Sequence, residues 1–275
     1  MTYIISEIGI NHNGDINLAK ELILKSKTSG CDAVKFQKRD IESVYTKEEL
    51  DTPRESPFGT TTREQKDGIE FSIEQYKELE KFSKEQGLDF IVSCWDKVSL
   101  DLVEEHLDVK YHKVASALAT DKTFLQKLND TKKPIILSVG MCTQEEVEAA
   151  VDILDNVEYI LACTSTYPTK AEELNLKYIR TLKETYPNIK IGFSNHYNGM
   201  DACVGSIAFG AECIEFHITK DRTMYGSDQP ASIQDSDDLV HAIKMMELMI
   251  GDGVKKVYDS EIPIAEKLRK VNDII

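Results

Sequence analysis

Basic side chains are in the minority in this 275-residue chain: 33 Lys and Arg stand against 48 Asp and Glu, a formal net charge of −15. A field of that sign repels phosphate backbones and gains nothing from counterion release, so nucleic acid is not expected as a partner. No stretch approaches the ~18–20 consecutive apolar residues of a membrane span. The N-terminus, M-T-Y-I-I-S-E-I-G, also lacks the basic stretch, apolar run and cleavage site of a signal peptide. A cytoplasmic protein with no membrane partner is the expectation. Cys31, Cys94, Cys142, Cys163, Cys203 and Cys213 form no C-x-x-C pair, and several sit in apolar strand-like runs, which predicts buried free thiols in a reducing compartment. Low-complexity segments are absent. No G-x-G-x-x-G follows the first apolar run, which argues against a dinucleotide-binding open sheet.

What is present is a globular share of apolar residues, 41%, in two alternating periods. Short β-branched runs at 3–10, 31–37, 88–94, 110–116, 134–140, 158–165, 189–195 and 212–218 read as strands. Amphipathic stretches at about 15–29, 72–86, 97–107, 122–131, 143–154, 172–186, 197–210 and 235–250 read as the helices that follow them. Gly30, Gly87, Gly210 and Asn188 stand where left-handed helix caps are wanted. Eight such units in about 250 residues predict an α/β fold closed into a (β/α)8 TIM barrel, with a doubly wound open sheet as the alternative. Residues 1–250 would form the barrel and 251–275 a helical tail. The long connection 38–71 follows a strand's C-terminal end and reads as a substrate lid, the alternative being a disordered insertion.

In a barrel, alternate strand residues point inward, and those near the C-terminal ends line the active-site mouth. Parity then groups Glu7 with Asn11, Lys35 with Gln37, Ser194 with His196, and Glu215 with His217, while Ile4, Ile8, Ile10, Val34, Phe36, Ile214, Phe216 and Ile218 face the helices. Burying an ammonium without an anionic partner is costly. Lys35 and Lys113 at equivalent depth, with Ser93, Ser116, Ser138, Thr164 and Ser194 at other strand ends, therefore indicate a phosphate or carboxylate pocket. His196 and His217 end adjacent strands and suit a borderline divalent ion, such as Mn²⁺, Fe²⁺, Co²⁺ or Zn²⁺, acting on a carbonyl oxygen. His12, in I-N-H-N-G, reads equally as ligand, acid/base group or loop former.

Seven segments in order, E-I-G-I-N-H-N-G-D at 7–15, V-K-F-Q at 34–37, K-V-A-S at 113–116, I-L-S-V-G-M at 136–141, C-T-S-T-Y-P-T at 163–169, G-F-S-N-H at 192–196, and E-F-H-I-T-K-D-R followed by G-S-D-Q-P-A-S at 226–232, resemble the sialic acid (N-acetylneuraminate) synthase family. The resemblance implies a (β/α)8 enzyme that condenses phosphoenolpyruvate with a sugar aldehyde to give a 2-keto-3-deoxy acid and phosphate. It implies a divalent metal, Mn²⁺ first, with Mg²⁺ or Co²⁺ as alternatives, and a homodimer. By the same resemblance, Lys35, Gln37, Ser93, Lys113, Ser116, Ser165 and Ser194 would hold phosphoenolpyruvate. His196 and His217 would bind the metal, and Glu7, Tyr167 and Asp228 would contact the sugar and serve proton transfer. Glu7, Lys35, Lys113 and His217 form the catalytic group in this reading; Ser138 joins the substrate-binding serines from its place at a strand end alone.

Three departures from the family pattern stand out. Leu118 occupies a position where the family carries a carboxylate, Ser165 stands for a common asparagine, and the sequence ends at Ile275 without the antifreeze-like domain that many members append. A less polar acceptor near Leu118 is the expectation that follows. A barrel synthase using a phosphorylated sugar, with Arg39, Arg54, Arg63 or Arg222 meeting the phosphate, is one competing reading. A non-catalytic binding subunit is the other.

Overall fold

The computed structural model describes residues 1–269. Strands β1 (Tyr3–Gly9), β2 (Ala33–Lys38), β5 (Asp89–Cys94), β6 (His112–Val114), β7 (Ile135–Ser138), β8 (Val157–Cys163), β9 (Lys190–Asn195) and β10 (Cys213–His217) are parallel, and they close in the order β1-β10-β9-β8-β7-β6-β5-β2. Consecutive barrel strands are joined by helical connections and β10 pairs with β1, so the closed barrel holds and the open sheet does not. The first helix, Ile16–Ser29, shows how the sequence sets such an element. Asp15 caps it by accepting from the Asn17 and Leu18 amides, and Gly30 ends it in the left-handed conformation at φ 87°. Its buried Ala19, Leu22, Ile23 and Ser26 repeat at helical spacing and pack on the sheet, where a fully buried Leu or Ile contributes about 1.5–3 kcal/mol.

The side chains divide by strand parity into two apolar layers. Ile4, Ile8, Val34, Phe36, Ile214, Phe216 and Ile218 lie in the layer between sheet and helices. Ile5, Ala33, Ile91, Tyr111, Ile136, Tyr159, Leu161 and Cys213 fill the barrel interior, with Tyr3 packed against them. Parity fails at one place. The β1–β2 register shifts between Glu7 and Gly9, and Gly9 turns at φ 54°. Beyond it Asn11 leaves the interior face and donates to the Ile218 carbonyl and to Ser232 Oγ, while Ile10 faces an outer cavity instead of the helices.

Other expectations need adjusting. Segment 38–71 is folded: short helices Ile41–Val44 and Lys47–Leu50, a hairpin of β3 (Pro53–Ser56) and β4 (Gly59–Thr61), and helix Thr62–Ile69. Capping boxes at Thr46 and Thr61 fix two of these helices. The helix expected at 172–186 is confined to Tyr178–Thr185, because Asn175 at φ 45° breaks the chain after a single turn at Ala171–Glu173. That at 197–210 runs only from Asp201 to Ala208, since the Asn195 side chain closes a turn on both the amide and the carbonyl of Tyr197. Gly30, Gly87 and Gly210 are left-handed as expected, and Asn188 is not; its helix ends at Tyr186 with φ −122°. After Ile250 the chain carries an exposed turn at Asp259–Glu261 and a helix, Ile262–Leu268; the rest of the expected tail, 270–275, lies outside the described residues. No described helix is long and apolar enough to cross a membrane, and the six cysteines are free, Cys31, Cys94, Cys203 and Cys213 buried as expected and Cys142 and Cys163 only partly so, near the mouth of the barrel.

Candidate active site

Register brings the polar residues of neighbouring strands level: Glu7 with Lys35 on one side and His217 on the other, Gln37 with Ser93, and Glu215 with Ser194. They converge at the C-terminal end of the barrel on a cavity of ≈170 Å³, to which Glu7, Lys35, Gln37, Ser93, Lys113, Ser116, Ser165, Tyr167, Ser194, His196 and His217 all contribute. Two expected members stand apart from it. Ser138 shares the interior parity of Ile136 but lies buried off the cavity wall, its hydroxyl unpartnered. Asp228 lines a second cavity just outside, of ≈250 Å³, with Ile10, Arg39, Lys66, Ile69 and Glu70; Gln37, Trp95 and Tyr167 belong to both.

Charge in the inner cavity is dense and paired. Lys35 Nζ lies 2.8 Å from Glu7 Oε2 and 3.6 Å from Glu215 Oε1, and Lys113 Nζ lies 3.3 Å from the same Glu215 oxygen. Burial pulls Lys35 down, but Glu215 and Glu7 outweigh it and hold the ammonium above the ordinary lysine value. Lys113 is more weakly paired, and burial leaves it below that value. Burial opposes ionisation of Glu215, yet Lys113 and Lys35 bring it down to about 2. Two ammoniums and two carboxylates sum to zero. Around them, the Ser194 hydroxyl donates to Glu215 Oε1 and that of Ser93 to the Lys113 carbonyl. Ser116 Oγ accepts from the Gly140 amide at 2.9 Å, which leaves its own hydrogen free to donate. Gly140 is required here for close approach, because a Cβ at that position would collide with the Ser165 and Ser116 hydroxyls.

The two imidazoles sit side by side, ring centroids 5.3 Å apart. His196 Nδ1 is 2.8 Å from the Thr164 carbonyl, which fixes its proton there, and Nε2 meets the Tyr167 hydroxyl at 2.9 Å. His217 is fully buried and held below the ordinary histidine value by that burial; its Nδ1 has no hydrogen-bond partner, with Asp228 Oδ2 at 3.5 Å. Among the described residues, no group of three or more His, Cys, Asp or Glu side chains gathers as a metal cage. Two neighbouring imidazoles, one fixed with Nε2 toward the cavity and one with an orphaned nitrogen, are nevertheless donors that could hold a divalent ion.

His12 is a loop former: its Nδ1 accepts from the Gly14 amide, its ring stacks on Phe71 at 4.1 Å, and burial brings it down to about 3. Leu118 corrects another expectation. It packs half-buried against the layer between sheet and helices and lines neither cavity, while Ala117 faces the mouth. Of the arginines, Arg63 is paired with Glu42, Arg222 is bound to the Ser232 and Asn198 carbonyls, and Arg39 alone of the four lines the outer cavity. Sequence reasoning gave no role to Glu215, whose parity was legible, or to Trp95, one residue past the end of β5. Cys163, a buried thiol by its sequence, is only partly buried. Burial raises that thiol, but His196, Lys113 and Ser165 bring it to about 7.

Comparison with known proteins finds relatives along nearly the whole chain. The family model described as the NeuB family matches residues 22–255. The chain is 35% identical over 275 residues to N-acetylneuraminate-9-phosphate synthase of Mus musculus, covering 98% of this chain and 76% of that protein. It is 34% identical over 281 residues to N,N'-diacetyllegionaminic acid synthase of Legionella pneumophila, covering 98% and 78%. Among solved structures, N-acetylneuraminic acid (sialic acid) synthetase from Leptospira borgpetersenii, in complex with citrate, matches with a TM-score of 0.82 at 30% identity, over 98% of this chain and 93% of that one.

Proposed function

This chain belongs to the NeuB family, and from that premise we propose that it condenses phosphoenolpyruvate with a sugar aldehyde to give a 2-keto-3-deoxy acid of the nonulosonic type and inorganic phosphate. The observation that carries the reading is the convergence of Lys35 and Lys113, with four serines, on one small cavity that shares Gln37, Trp95 and Tyr167 with a second. An enol phosphate with two anionic groups suits the inner cavity, where the lysines and the Ser116 hydroxyl donate to its oxygens. A polyhydroxylated acceptor suits the outer one, against Tyr167 and Asp228.

In the reaction, C3 of phosphoenolpyruvate bonds to the aldehyde carbon and the aldehyde oxygen takes up a proton. Water adds at C2, and the C2–O bond to phosphate breaks. Glu7, between the lysine and the imidazoles, would take the proton of that water, and Tyr167 and Asp228, on the outer cavity, would orient the acceptor. A divalent ion, Mn²⁺ first and Mg²⁺ or Co²⁺ as alternatives, would be held by His196 and His217 and would supply Lewis acidity at the acceptor carbonyl. Its charge would also balance that of the bound anion, since the lysines and carboxylates already cancel.

The test is phosphate release with phosphoenolpyruvate, Mn²⁺ and a panel of hexosamine and pentose aldehydes. Release that requires a particular aldose supports the proposal; no release with any of them, or release independent of the aldose, refutes it. A homodimer belongs to the same reading, and a single sedimenting species of 31.1 kDa would exclude it.

A further inference from the structure

A line of side chains runs from the outer cavity to Glu7. Arg39, just past the end of β2, lays its guanidinium 4.1 Å from the centre of the Trp95 ring and places Nη1 3.7 Å from Glu70 Oε1. Its Nη2 donates to Gln37 Oε1. Gln37 in turn donates from Nε2 to Glu7 Oε1 at 2.7 Å, and its backbone carbonyl accepts from the buried Tyr76 hydroxyl.

An amide has two unlike ends, an oxygen that only accepts and an NH₂ that only donates, and the side chain can rotate to exchange them. Glu7 stabilises one orientation by accepting. A guanidinium has donors only, so Arg39 selects the same orientation from the other end. With Arg39 gone, nothing at the outer end prevents the amide from turning its oxygen toward the carboxylate, where it repels instead of holding. Glu7 Oε1 would then lose its neutral partner and be free to swing toward Lys35, which already holds Oε2.

We propose that Arg39 is a positioning residue for the condensation: by fixing the orientation of the Gln37 amide, it keeps Glu7 in place for the proton transfer. This rests on the synthase reading above, in which Glu7 handles that proton. Two features make Arg39 well suited. Its three contacts, ring, carboxylate and amide oxygen, lie in different directions, and a rigid fork meets them together. Its position on the outer cavity wall also keeps it clear of the phosphoenolpyruvate oxygens, so it reaches that substrate only through Gln37, and its larger effect falls on turnover.

The experiment is a double-mutant cycle on phosphate release, with wild type, Arg39→Lys, Gln37→Leu and the double variant assayed alongside circular dichroism to confirm the fold. Lysine keeps the charge beside Glu70 but cannot meet all three partners at once. In Arg39→Lys, kcat is expected to fall about tenfold while KM for phosphoenolpyruvate changes less than about threefold. The double variant is expected to be no slower than Gln37→Leu alone, because Arg39 acts through that amide. Losses that multiply in the double variant overturn the inference, as does an effect confined to KM. If Arg39→Lys were to misfold, the same cycle with Arg39→Gln, which keeps one donor for Gln37 and loses the charge, gives the same criterion. Should the wild type release no phosphate with any aldose, the synthase reading itself fails; a turning-over wild type with multiplicative losses defeats the Arg39 inference alone.

Discussion

Replacing Lys113 with alanine tests the anion site at its less firmly paired cation. Lys113 Nζ shares Glu215 Oε1 with Lys35, at 3.3 and 3.6 Å. A charge-assisted hydrogen bond from an ammonium to a phosphate or carboxylate oxygen is worth about 1.5–3 kcal/mol, so phosphoenolpyruvate affinity should fall about 10- to 150-fold. A bare Coulomb figure for unit charges about 4 Å apart at an effective dielectric near 20 is about 4 kcal/mol, which sets a ceiling on the loss. The variant also leaves Glu215 with one lysine in place of two, and the uncovered carboxylate repels the ligand. Adding Glu215→Gln should therefore recover part of the loss. Trp95 is the only tryptophan in the chain and lines the cavity, so its fluorescence can be titrated with phosphoenolpyruvate without an aldose and hence without turnover. Because burial holds Lys113 below the usual lysine value, wild-type affinity should be greatest below that lowered value and decline as pH rises through it, a step the variant lacks. A Kd for Lys113→Ala within about twofold of wild type, under a factor that one charge-assisted bond exceeds, would refute the placement of the anion against this lysine.

Excess EDTA should abolish phosphate release and added Mn²⁺ restore it; full turnover in a chelated protein that metal analysis shows to be empty would remove His196 and His217 from the proposed role. Gly140→Ala should push the Ser116 and Ser165 hydroxyls away and weaken phosphoenolpyruvate binding by about tenfold, the worth of roughly one hydrogen bond, and an unchanged Trp95 titration would show that these hydroxyls do not touch the ligand. Leu118→Glu should lower the melting temperature, since it sets a carboxylate against an apolar layer, and should leave acceptor preference unaltered. A shift in preference without loss of stability would return Leu118 to the acceptor site.

The barrel was legible because its signals repeat. Period-2 runs such as 31–37 and helical runs such as 15–29 recur eight times, and the parity of Lys35, Ser194, Glu215 and His217 follows from strand geometry alone. Parity misled at Asn11 and Ile10, because the bulge at Gly9 depends on how β1 pairs with β2 and leaves only an ordinary glycine in the sequence. Asn188 takes no capping role, because the helix already ends at Tyr186, whose backbone leaves the helical region at φ −122°. The pairing of each lysine with a carboxylate could not be read, since Glu7, Lys35, Lys113 and Glu215 come from four strands and meet only once the barrel closes. The order inside 38–71 was also hidden, although its S/T-x-x-E capping signals at Thr46 and Thr61 were present in the sequence.

The packed floor of the barrel leaves the inner cavity open at one end only. Tyr3, Tyr111 and Tyr159 lie against one another at the end away from the active site, and with Ile5, Ile91, Ile136 and Leu161 they leave no channel of the kind an unfilled barrel would have. Entry to the inner cavity is then from the mouth, where Met141 and Tyr167 are exposed. On the synthase reading, both substrates come in and both products go out on that one face of the barrel.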